Sequence, residues 1–120
     1  MNLLTLAKWP EVIIDIIKSS KREAKDSHWL LTKITEELGE LAAEHGKRGG
    51  MTAKPYDKQE HVEEVADVLI CVFSYFAKLS AEDEDFTQEM LVEAMKKKIS
   101  KWNEKADHYR CHSEGSNLKG

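Results

Sequence analysis

The 120-residue sequence has only two cysteines, two prolines and six glycines, few aromatic residues (8%), no long apolar run and no excess of positive charge. Two cysteines do not make a disulfide framework: Cys71 lies in an apolar pattern and Cys111 in a polar tail, and both are expected to be reduced thiols. The longest apolar run, Val68 to Phe73, is far shorter than the roughly 20 residues that a membrane-spanning helix needs. The N-terminal segment carries Lys8, Glu11 and Asp15 within its apolar stretch and has no small-residue cleavage site, so it does not read as a signal peptide. A cytoplasmic protein without a membrane partner is expected. The net charge of −4 argues against a nucleic-acid partner, whose phosphates would call for an excess of Lys and Arg.

With so few chain breakers, what remains is helical patterning, and the fold class is all-α. Pro10 suits a first helical position and is followed by Val12, Ile13, Ile16 and Ile17 on one helix face. Asp26 and Ser27 are candidate caps for a second helix over about 28–45, ended by Gly46 and the Gly49-Gly50 pair. After a loop and Pro55, a third helix spans about 57–79, dense in apolar residues. Asp85 and Gln88 resemble a capping box for a fourth helix reaching about Asp107. Residues 1–110 are expected to form one domain, an antiparallel helical bundle of about four helices, and residues 111–120 a flexible tail. Helices one and three carry wider apolar faces than a chain of this size covers by itself, so a homodimer or homotetramer is expected to complete the bundle.

The charge is unevenly distributed. Between Glu36 and Asp67 nine carboxylates stand against four basic residues, whereas between Lys96 and Arg110 six basic residues stand against two acids. Glu36, Glu37, Glu40 and Glu44 fall within about 100° on the wheel of helix two, beside rather than opposite its apolar stripe of Leu30, Leu31, Ile34, Leu38, Leu41 and Ala42. On helix three Glu60, Glu63, Glu64 and Asp67 likewise share one face, which continues to Cys71 and Ser74. Like charges gathered beside a core raise one another's pKa, and a divalent cation relieves the conflict. Carboxylate oxygens suit Mg²⁺, which keeps several waters and bridges to phosphates. The bland alternative is a pair of solvated Glu-rich faces on a non-catalytic helical interaction protein.

The strings EELGEL (36–41) and EEVADVLI (63–70) resemble the two acidic signatures of the MazG-like all-α nucleoside triphosphate pyrophosphohydrolases, over about residues 27–107. The resemblance implies a helical, oligomeric enzyme that hydrolyses (d)NTP to (d)NMP and pyrophosphate with Mg²⁺, Mn²⁺ being a substitute. It implies Glu37, Glu40, Glu64 and Asp67 as metal ligands, with Glu36 and Glu37 as catalytic residues, Glu36 orienting or activating the attacking water. The basic stretch KKKISKWNEKADHYR is similar to the family's basic fourth helix, although the spacing of Asn103 departs from the family pattern. Lys47, Arg48, Lys98, Lys101, Lys105 and Arg110 are the candidates for contacting the triphosphate. Trp29 falls on the acidic stripe, where core packing does not explain it, and with His28 is a candidate wall for the base. TKITEELGEL also resembles the first acidic segment of the phosphoribosyl-ATP pyrophosphohydrolases, but DVLICVF lacks that family's Tyr-His. A zinc set of His108, Cys111 and His112 lacks an evident fourth ligand, and no E-x-x-H pair supports a di-iron bundle.

Overall fold

Three of the four helices begin where a side chain satisfies a free amide, and the first begins at a proline instead. A computed structural model describes residues 8–23 and 25–119, with side chains to residue 110. It contains α1 (Trp9–Arg22), α2 (Ser27–Arg48), α3 (Lys58–Glu82) and α4 (Gln88–Lys119), and no strand among the described residues. The expected all-α class of about four helices is observed. Pro10 occupies the first turn of α1. Asp26 caps α2 by accepting from the Trp29 amide at 2.9 Å, and Asp57 caps α3 by accepting from the Gln59 amide at 2.9 Å. Thr87, rather than Asp85, stands at the start of α4 and accepts from the Met90 amide at 3.2 Å.

Two helix ends differ from the expected ones. Helix α2 runs on to Arg48, which leaves Gly46 buried inside it. The chain turns instead at Gly50, whose φ of +75° is the left-handed conformation that glycine adopts without a Cβ clash. Helix α4 continues beyond Asp107, and its backbone is helical to Lys119. The side chains of Cys111 and His112, two members of the weighed zinc set, lie outside the described residues, as does the start of the N-terminal segment.

Helices α2 and α3 form an antiparallel pair. At one end the Ser27 amide and hydroxyl donate to the Glu82 carboxylate, at 3.0 and 2.5 Å; at the other the rings of His45 and His61 meet edge-on, with centroids 6.1 Å apart. Helix α1 packs on the C-terminal half of α3, where Ile17 and Ser20 face Ala77 and Ala81 across a shallow cleft. Lys78 donates to the Glu23 carbonyl there and fastens the end of α1 to α3. The chain divides after Asp83 into two units, so α4 is described by itself. None of the described helices is long and apolar enough to cross a membrane.

The core is small, and its composition differs from the wheel. The buried apolar residues among those described are Ile16 and Leu30, and the buried polar ones are Ser20, Glu37 and Glu44. Leu30, Glu37 and Glu44 recur every seven residues, so all three lie along the seam that α2 turns towards α3. Part of the apolar stripe of α2 therefore faces outwards, with Leu31 49% and Leu38 52% exposed, while Leu30 stays buried. On α3, Val62, Val65 and Leu69 are exposed too.

Candidate metal centre

The seam between α2 and α3 gathers five carboxylates. Oxygens of Glu36, Glu37 and Glu40 lie within 4.8 Å of one another, and so do oxygens of Glu37, Glu64 and Asp67. The three- and four-residue spacing on each helix aligns the acids along one face, and the antiparallel pairing sets the two faces together. Glu37 belongs to both triads and is only 7% exposed. Glu64 is half-buried, whereas Glu36, Glu40 and Asp67 stand at the open rim.

One oxygen of Glu37 and one of Glu64 are buried without any hydrogen-bond partner. An unpaired carboxylate oxygen out of water is costly unless a cation or donor satisfies it. The donor set is hard: Cys71, which shares this face, is half-buried, and burial pushes its thiol pKa up, an effect to which the charges of Glu37 and Asp67 add. The ligand atoms that come together in the two triads are all carboxylate oxygens. All-carboxylate donors left unsatisfied at the seam fit a divalent ion of the Mg²⁺ or Mn²⁺ type.

Glu40 carries the electrostatic cost of this crowding. Its pKa is raised above the ordinary 4.5, first by the charge of Glu37 and by a hydrogen bond shared with it, then by Glu64 and Glu36. A pKa raised by folding stabilises the fold below the ordinary carboxylate range and ceases to do so as pH rises through the folded value. In EDTA the melting temperature is therefore expected to fall between acid and neutral pH, and Glu40→Gln to flatten that fall and raise the neutral-pH value. Thermal melts across this range check it; an unchanged slope in the variant would contradict the repulsion.

Lys33 was not among the residues singled out by sequence. Its ammonium lies 3.2 Å from Glu36 Oε1 and 3.3 Å from Glu37 Oε1, and these contacts raise its pKa. The signal was available, because positions three and four residues before Glu36 and Glu37 place Lys33 inside the acidic stripe. Glu44, assigned to the same stripe, belongs to neither triad. It is buried and pairs with Lys47 at 2.5 Å. That contact engages Lys47, one of the candidate phosphate ligands, while Arg48 beside it is exposed. Trp29 is 39% exposed on α2, with the Lys25 ammonium 5.8 Å from its ring centroid, and His28 is exposed next to it. Lys98, Lys101 and Lys105 are exposed on α4, in the other unit, and their spacing gives them a common face.

Residues 25–106 match the family described as the MazG nucleotide pyrophosphohydrolase domain. The chain belongs to this family. The match begins just before α2 and takes in both carboxylate-bearing helices and most of α4. No curated protein and no solved structure gives a match.

Away from the carboxylates, Leu38, Leu41, Ala42, His45, His61 and Val65 line an open cavity of about 500 Å³ between α2 and α3. At its edge the Tyr56 hydroxyl stands 2.6 Å from His61 Nδ1. This surface joins outward apolar residues of both helices; an uncovered apolar face was expected on α3 but not on α2.

Proposed function

We propose that the chain is a Mg²⁺-dependent nucleoside triphosphate pyrophosphohydrolase that converts (d)NTP to (d)NMP and pyrophosphate, with Mn²⁺ as a substitute ion. The observation that carries this is the pair of oxygen triads sharing the buried Glu37, in a chain of the MazG family. Glu37, Glu40, Glu64 and Asp67 would hold the metal. When bound there, a divalent cation supplies Lewis-acid stabilisation of phosphoryl charge and lowers the pKa of water. Glu36, exposed at the rim, is the residue to orient the attacking water and take its proton.

Cleavage between the α and β phosphorus atoms also needs compensation for charge on the triphosphate. Lys47, Arg48, Lys98, Lys101 and Lys105 are the candidates for charge-assisted hydrogen bonds to its oxygens. Lys47 would have to leave Glu44 to do so. Trp29, on the cluster's side of α2, offers a ring face for the base, with His28 beside it. The outward apolar surface of Leu31, Leu38, Val62 and Val65 supports a second copy of the chain as its cover, hence a homodimer or homotetramer.

A panel of ribo- and deoxyribonucleoside triphosphates with Mg²⁺, assayed for pyrophosphate, tests the activity. Release that stops in EDTA is expected with at least one nucleotide. No release with any of them would overturn the proposal and favour a non-catalytic interaction protein.

A further inference from the structure

Lys33 is a cation already seated on the candidate cluster. Its ammonium contacts Glu36 and Glu37, and Glu37 is the carboxylate that both oxygen triads share. An ammonium has three donors and no acceptor, so it cannot ligate a cation, and its charge opposes one bound to the same carboxylates. The opposition is local, because the ammonium lies 3.3 Å from Glu37 Oε1 and the other oxygen of Glu37 has no partner, so an ion that draws on both oxygens has to displace it. The Lys33 side chain is 31% exposed on a flexible four-carbon stem, and Glu36, its second partner, is 57% exposed at the rim. Releasing Glu37 while keeping Glu36, or leaving both for water, therefore requires only a change of side-chain conformation.

We propose that Lys33 is a resident counter-cation of the site, which offsets one of the two charges of Glu36 and Glu37 in the metal-free protein and is displaced from Glu37 when a divalent ion enters. This rests on the metal site proposed above and adds an exchange that sets its affinity. Lys33 weakens ion binding by the amount with which it stabilises the empty carboxylates. In return it keeps the metal-free fold from carrying the full repulsion of the cluster. Lys33 is thus a positioning residue for Glu37, not a metal ligand.

Mn²⁺ binding to the full chain without nucleotide, followed by calorimetry or by the loss of the free-ion paramagnetic resonance signal, tests the exchange. Lys54, exposed in the loop between α2 and α3, provides the comparison. Lys33→Met is expected to tighten Mn²⁺ binding by about two- to fivefold and to lower the melting temperature in EDTA. Lys54→Met is expected to change the affinity by less than about twofold, as screened charges do. Lys33→Gln replaces Lys33→Met if circular dichroism shows that the latter has lost its helices. Unchanged or weaker binding by the Lys33 variant, or equal tightening in both variants, would overturn the exchange while leaving the metal site intact. No Mn²⁺ binding by any of these proteins would overturn the metal site, and the exchange with it.

Discussion

Glu37→Gln is expected to lower Mg²⁺-dependent kcat/KM by about 10³-fold or more, a larger loss than Glu36→Gln or Glu40→Gln produces. Glu36 and Glu40 each belong to one oxygen triad, whereas Glu37 belongs to both. Glutamine keeps the volume of this buried side chain and removes the charge, so packing against α3 survives while both triads lose an anionic oxygen. The substitution also removes the charge that most strongly raises the pKa of Glu40. The metal-free variant should therefore melt no lower than wild type at neutral pH, which separates loss of activity from loss of fold. Steady-state kinetics with Mg²⁺ and melts in EDTA check both halves. Activity within tenfold of wild type would remove Glu37 from the centre of the site.

Leu38→Glu is expected to shift the protein from oligomer to monomer. Leu38 is 52% exposed and lines the same cavity as Leu41, Ala42 and Val65, so it sits within a continuous apolar surface rather than alone. A carboxylate there costs little in a free chain, where water reaches it, and is strongly unfavourable once a second copy closes over it. Sedimentation at micromolar concentration reads the change directly. A wild-type monomer would show that another partner, or none, covers this face.

The positions of the helices were legible because their boundaries rest on local chemistry. Asp26 and Asp57 cap α2 and α3, and Gly50 supplies the left-handed turn after α2. The gathering of the acids was legible for the same reason, since spacing of three and four residues puts side chains on one face whatever the helix packs against. What a single-helix wheel does not contain is the partner. It ranked Leu38 as core and Glu37 as border, but pairing along Leu30, Glu37 and Glu44 buries the two acids and turns Leu38 outwards. Lys33 escaped notice because one lysine among acids resembles a solvated surface residue until the distances to Glu36 and Glu37 are known. At α4, Asp85 and Gln88 had the spacing of a capping box, but Thr87 stands directly before the first turn and its hydroxyl is the acceptor used.

Hydrolysis of a (d)NTP in ¹⁸O-labelled water, with the products weighed by mass spectrometry, puts attack at the α phosphorus to the most direct test. One ¹⁸O atom in the nucleoside monophosphate and none in the pyrophosphate is the expected result, dependent on Mg²⁺ and lost in Glu37→Gln. Orthophosphate as the product, or the label in pyrophosphate, would contradict it.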